Sequence, residues 1–130
     1  MGKKVVVVDD DPDVRLFNAT VVEECGHTPL AAENGAQGLD LVRNESPDLV
    51  ILDVLMPKQS GIKMYRELKT DKALKHIPVI VLSGIARRSF LKSQQALAEF
   101  GGVTVPEPAA YVEKPATADE LAAVIAGILG

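Results

Sequence analysis

Polar side chains able to do chemistry stand directly behind the most apolar stretches of this chain. The run VVVV over 5–8 is followed at once by Asp9, Asp10 and Asp11, and LVIL over 49–52 by Asp53. VIVL over 79–82 leads into Ser83-Gly84, and AAYV over 109–112 into Glu113-Lys114-Pro115. Carboxylates converging on one place repel unless one is protonated or a cation bridges them. A small, partly hydrated site of oxygen ligands suits Mg²⁺, which makes Asp9, Asp10 and Asp53 candidate metal ligands. With that charge neutralised, the Asp53 carboxylate can act as a nucleophile toward phosphorus and form an aspartyl phosphate. The phosphoryl oxygens then require donors and positive charge. The Lys114 ammonium, the Ser83 hydroxyl and the backbone N–H at Gly84 can supply them. Asp11 has a different task, because an Asp directly before a proline such as Pro12 reads as a helix N-cap. Acids that merely cap helices and solvate a rim would explain any one of these residues. They do not explain a whole set falling behind the expected strands.

The elements that must position this set follow from the apolar patterning. Unalternating aliphatic runs at 5–8, 49–52 and 79–82 predict strands buried on both faces. TPLAA over 28–32 and AAYV over 109–112 predict two further strands nearer the sheet edges. Helical spacing fills the intervals. Val14, Phe17, Val21 and Cys25 share one predicted face, ended by Gly26. Ala36, Leu39 and Val42 repeat the pattern before Pro47, and Ile62, Tyr65 and Leu68 repeat it after Gly61. Leu121, Val124, Ile125 and Ile128 form a last amphipathic face behind a Thr117–Glu120 capping box. A strand-helix unit repeated five times predicts an α/β fold with a doubly wound, open parallel sheet between helical layers. Sites in such folds lie beyond the carboxyl ends of the strands, near the switch in strand order.

Composition narrows the function classes. The 130 residues fit a single domain with a real core, 47% are hydrophobic and 25% charged. A formal net charge of −4 leaves no electrostatic footprint for direct nucleic-acid binding. The lone Cys25 excludes an intramolecular disulfide and reads as a small buried apolar residue. No signal peptide or membrane-spanning run is present in the sequence, which leads to the expectation of a cytoplasmic protein without membrane contact.

The segments VVVVDDDP, LVILDVLMPKQSG, VIVLSG and YVEKP together resemble the receiver domain of bacterial two-component response regulators, over essentially the whole chain. Asp53 followed by Met56-Pro57 and Gly61, and Lys114-Pro115 after a strand, are its specific spacings. The resemblance implies a flavodoxin-like, three-layer fold with strand order 2-1-3-4-5 and five helices, as one receiver domain over 1–130. It implies that Asp53 accepts phosphoryl from a histidine kinase or phosphotransfer protein in a phosphorelay. Asp9 and Asp10 would hold Mg²⁺ with Asp53, and the backbone carbonyl of Leu55 would complete the protein ligands. Ser83 would be the switch hydroxyl, Lys114 would contact the phosphoryl group, and the Lys114–Pro115 peptide would be cis. Tyr111 would be the switch aromatic, the plainer reading being a partly buried strand aromatic. Phosphorylation would then bias an inactive–active equilibrium and reshape the face made by the fourth helix, fifth strand and fifth helix. Such a protein signals, and catalyses only its own phosphorylation and dephosphorylation.

Two departures from the family pattern carry expectations of their own. Leu55 and Ile85 stand where fast-dephosphorylating members place polar side chains that position the attacking water, so slow phosphoryl loss is expected. The interval from Ser83 to Lys114 is also longer than usual, and the surplus falls in GGVTVPEP over 101–108. Its glycines and prolines predict a loop, beside the face that receivers use for output or homodimer formation. Arg87 and Arg88 nearby read as a solvated helix start or as contacts to a partner or phosphate.

Three rival readings are weaker. An aspartate-nucleophile phosphatase needs a second Asp two residues on, where Leu55 stands. A flavin binder needs a Gly/Ser/Thr-rich phosphate loop where three aspartates stand. A receiver that only mediates contacts would not need Asp9, Asp10, Asp53, Ser83 and Lys114 intact. After Lys114 one helix remains, so the expectation is a stand-alone receiver or one cut from a longer protein, acting on a downstream protein target.

Overall fold

A computed structural model describes residues 2–99 and 105–130. Five parallel strands, β1 (Lys4–Val8), β2 (Thr28–Ala32), β3 (Leu49–Leu52), β4 (Val79–Ser83) and β5 (Ala110–Glu113), pair in the order β2-β1-β3-β4-β5. Helices α1 (Pro12–Glu24), α2 (Gly35–Glu45), α3 (Ser60–Thr70), α4 (Arg87–Glu99) and α5 (Ala118–Leu129) follow them in turn. This is the flavodoxin-like, doubly wound architecture expected from the sequence.

The aliphatic runs work as two-sided strands. Val5 and Val7 pack with Ile51, Ile80, Val22, Leu121 and Ile125 on the α1/α5 side. Val6 and Val8 pack with Leu52, Val81, Met64, Leu68 and Phe90 on the α2/α3/α4 side. All four valines are at most 1% exposed, and each contributes roughly 1.5–2 kcal/mol by leaving water. Because both faces are buried, a register slip would exchange the two layers' side chains, so the register is strongly specified.

Helix boundaries follow local chemistry. The Asp11 side chain accepts from the Asp13 and Val14 N–H groups at the start of α1, with Pro12 in the first turn. Gly26, at φ 87°, ends it by donating to the Glu23 carbonyl. The buried face of α1 is rotated from the predicted one. Asn18, Val21 and Val22 are buried, Val14 and Cys25 are half-buried, and Phe17 stands 40% exposed. Helix α2 presents Gly35, Gly38 and Val42 inward rather than Ala36, and it stops at Ser46 in the left-handed region before Pro47 is reached. The Thr117 side chain accepts from the Glu120 N–H and starts α5. Of the long segment 101–108, residues 101–104 lie outside the described residues, and 105–108 form no strand or helix.

Candidate functional site at the carboxyl ends of the strands

Parallel register brings the polar residues together. Val8 is opposite Leu52 across β1 and β3, so Asp9 and Asp53 leave adjacent strands side by side at the order switch. Their backbones are pinned there: the Asp9 N–H donates to the Ala32 carbonyl at 3.1 Å and the Asp53 N–H to the Val8 carbonyl at 3.0 Å. Ser83 pairs with Glu113, and the Lys114 N–H donates to the Ser83 carbonyl at 2.8 Å, which brings Lys114 to the same rim. The Lys114–Pro115 peptide is cis.

The three aspartates divide their tasks. Asp9 is 1% exposed; one carboxylate oxygen accepts from the Asp11 N–H at 3.0 Å and the other from the Lys114 ammonium at 3.0 Å. Asp53 is 5% exposed; Oδ1 accepts from the Leu55 N–H at 2.9 Å, and Oδ2 lies 3.3 Å from the Lys114 ammonium. Asp10 is exposed, yet its carboxylate lies with those of Asp9 and Asp53 within 4.8 Å of one another. Asp11 turns away to cap α1.

Two like charges at such a separation repel by about 3 kcal/mol at an effective dielectric near 20. Lys114 offsets this by sitting between Asp9 and Asp53. Burial raises the Asp9 carboxyl above the ordinary range, against hydrogen bonds from Asp11 and Lys114 that lower it. Burial also works to lower the Lys114 ammonium, but the Asp9 hydrogen bond and the charges of Asp53 and Asp9 outweigh it and raise the group. The oxygen-only donor set, with one solvent-facing carboxylate, fits a hard, partly hydrated divalent ion.

Ser83 and Tyr111 meet at one residue. The buried Ser83 Oγ accepts from the Ile85 N–H at 3.3 Å, and the Tyr111 hydroxyl donates to the Ile85 carbonyl. Burial, with the charges of Glu113 and Asp53, pushes the Tyr111 phenol up to about 12. Gly84 is exposed at the same rim, with Leu55 Cδ2 at 3.9 Å from the place a Cβ would occupy. Leu55 is 60% exposed, whereas Ile85 packs against the α2/α3/α4 core. The two apolar departures therefore face different surroundings. Arg87 is engaged away from the acidic cluster: its guanidinium pairs with Glu107 at 2.8 Å, and its N–H donates to Glu113 at 3.0 Å.

Sequence reasoning does not find three contributors. The Arg15 guanidinium donates to the Asp9 carbonyl at 2.8 Å, and nothing in its local sequence marks it. Ile85 stands out in sequence only through its side chain, not as the backbone to which both switch residues bond. Gly61 stands out there only as a spacing marker. A Cβ there would lie 2.2 Å from the Asp53 carbonyl oxygen, so it is the glycine that lets α3 approach the reactive strand end.

The profile of the response regulator receiver domain matches residues 5–126. The chain belongs to the response regulator receiver domain family. Among curated relatives, the polar-differentiation response regulator DivK of Brucella anthropi is 32% identical, over 100% of this chain and 98% of its own. DivK of Brucella ovis is 31% identical with the same coverage. A response regulator receiver domain protein from Clostridium thermocellum is similar in structure, with TM-score 0.75, 29% identity, and coverage of 98% of this chain and 94% of its own. The chemotaxis response regulator CheY4 of Vibrio cholerae shares the fold at TM-score 0.80 and 19% identity, over 98% of this chain and 99% of its own. The receiver domain is thus a phosphoacceptor of two-component signalling, whose family works with histidine kinases and downstream partners and binds Mg²⁺ in its acidic pocket. No helix among the described residues of this receiver is long and apolar enough to cross a membrane.

Proposed function

We propose that the chain is a single receiver unit, over 1–130, in which Asp53 is the phosphoacceptor and accepts from a phosphohistidine of a histidine kinase or phosphotransfer protein. The observation that carries the reading is the convergence of the Asp9, Asp10 and Asp53 carboxylates, with the Lys114 ammonium on Asp9 and Asp53. The Asp53 carboxylate attacks phosphorus, the P–N bond of the donor breaks, and its electron pair returns to the imidazole nitrogen. Asp9, Asp10, Asp53 and the backbone carbonyl of Leu55 would hold Mg²⁺. When bound, that ion supplies charge neutralisation at the phosphoryl oxygens. Lys114, already beside Asp53, transfers its hydrogen bond to a phosphoryl oxygen, and the Gly84 N–H and Ser83 hydroxyl donate to the others. The protein thereby promotes its own phosphorylation and dephosphorylation and no other reaction.

The switch follows from the Ile85 geometry. Drawing the Ser83 hydroxyl toward a phosphoryl group withdraws the acceptor of the Ile85 N–H, and Ile85 is the residue whose carbonyl holds Tyr111. Phosphorylation therefore biases Tyr111 and the α4/β5/α5 face between two arrangements, for a downstream protein target or for homodimer formation. The donor's approach is supported by an apolar groove of about 320 Å³ beside α1. Val14, Phe17, Leu82, Ala116 and Lys114 are among the residues that line it. The deciding experiment is labelling with a small phosphodonor and Mg²⁺, read by intact mass. Wild type should gain one phosphoryl group and Asp53→Asn none; equal labelling would sink the assignment.

A further inference from the structure

Residues 105–107, between α4 and β5, are tied to the switch by aromatic side chains. Phe90, 1% exposed on α4, sits between two tyrosines. Its ring meets Tyr65 of α3 edge-on at 5.1 Å and Tyr111 of β5 tilted at 5.5 Å. Tyr65 is fully buried, and its hydroxyl donates to the backbone carbonyl of Pro106. Val105 packs on the same core. Glu107 is held by Arg87 at the first turn of α4. Residues 105–107 are thus a strap fastened at one point to Tyr65 and at another to the start of α4.

We propose that this strap is the output end of the switch: phosphorylation at Asp53 moves Tyr111 through Ile85, and Phe90 passes the displacement to Tyr65, loosening the Tyr65–Pro106 fastening. The inference rests on the phosphoacceptor reading above, and goes beyond it by assigning a role to residues 105–107. A close-packed aromatic relay suits the task, because interiors at this density do not absorb a ring displacement without moving its neighbour. The fastening is also one that can be lost at small cost. A single hydroxyl–carbonyl hydrogen bond is worth about fivefold in an opening equilibrium. The Asp53 charge acts on the Tyr111 phenol, whereas Glu107 is the charge acting on Tyr65.

The chain has only two tyrosines, one at each end of the relay. Incorporating 3-fluorotyrosine gives two ¹⁹F resonances, assigned with Tyr65→Phe and Tyr111→Phe. The 130-residue chain is compared before and after beryllofluoride with Mg²⁺, a stable phosphoryl mimic. Both resonances should shift in wild type. In the Phe90→Leu variant, which keeps an apolar side chain but removes the ring, Tyr111 should shift while Tyr65 stays. A wild-type Tyr65 signal that stays put while Tyr111 moves overturns the proposal, and so does a Tyr65 signal that moves equally in Phe90→Leu. Hydrogen exchange gives an independent reading that does not depend on Phe90→Leu folding. In 105–109 the Ala109 N–H, which donates to the Val79 carbonyl at 2.9 Å, should exchange about fivefold faster with the mimic, because losing the Tyr65–Pro106 bond shifts the strap's opening equilibrium by that factor. In Tyr65→Phe it should already exchange fast in both states; a persisting difference between the states overturns the relay. Phosphodonor labelling separates the two levels. No label on Asp53 sinks the phosphoacceptor assignment and the strap with it. Label without any ¹⁹F shift sinks the strap alone.

Discussion

Gly61→Ala should damage this protein in two ways at once. A Cβ at position 61 would lie 2.2 Å from the Asp53 carbonyl oxygen and 2.6 Å from the Val54 Cα, both backbone atoms. Ordinary contact begins near 3.4 Å, so α3 and the end of β3 must separate by about 1 Å. No side-chain rotation can relieve the clash, because the obstructing atoms belong to a chain segment hydrogen-bonded into the sheet through Asp53 N–H to Val8. Overpacking against a rigid neighbour costs about 3 kcal/mol, the upper part of the usual range, which lowers Tm by roughly 10 °C for a chain of this length. The same displacement moves the Asp53 carboxylate relative to Lys114 and Asp9. Phosphorylation by a small phosphodonor should therefore slow by about 100-fold, as expected for an ångström-scale misplacement. Chemical denaturation and single-turnover labelling measure the two effects. Gly127→Ala is the internal control, since a Cβ at that exposed position of α5 would meet nothing within 4 Å. That change should stabilise the protein by about 0.5–1 kcal/mol through helix propensity alone. If Gly61→Ala loses less than about 0.5 kcal/mol, the close-approach argument is wrong.

Three further outcomes follow from the site. Leu55→Asn places a polar group at the exposed rim and should speed phosphoryl loss on the order of tenfold; rapid decay of the wild-type phosphoprotein would refute the expectation of slow loss. Mg²⁺ at a hundredfold excess over its Kd should stabilise wild type by about 2.7 kcal/mol. Asp10→Asn, exposed at the rim, should abolish that increment with little effect on the metal-free Tm; an unchanged increment would remove Asp10 from the ligand set. Spectrophotometric titration should show almost no phenolate at pH 10.5, where an ordinary tyrosine is mostly ionised, because burial pushes Tyr111 up to about 12 and Tyr65 higher still. With folded pKa values above the unfolded one, the stabilisation is complete below pH of about 10 and is lost as pH rises from there toward about 12. Free phenolate below that window, in folded protein, would contradict the buried placement.

Much of this protein was legible in one dimension. Unbroken runs such as VVVV and LVIL can only be satisfied by burial on both faces, so strand identity and the parallel α/β class follow from them. The polar residues behind the runs then fall on one rim by topology alone. Asp11-Pro12 and Thr117–Glu120 state their helix starts locally, and both caps form as the sequence indicates. What composition and spacing could not decide depends on which neighbour the fold supplies. Phe17 has the spacing of a core residue but lies exposed, because the sheet takes up Asn18, Val21 and Val22 instead. The three adjacent aspartates look equivalent in sequence. Only the approach of Lys114 from the far end of the chain makes Asp9 a buried ion-pair partner and leaves Asp10 open to solvent. Likewise Tyr65 reads as one more apolar position on α3, and Pro106 as a loop residue. Their hydrogen bond exists because separate crossovers return to the same layer. Sequence thus determined the elements and the inventory of the site. Tertiary packing decided which member is buried, which is free and which are coupled, since those properties belong to contacts between residues far apart in the chain.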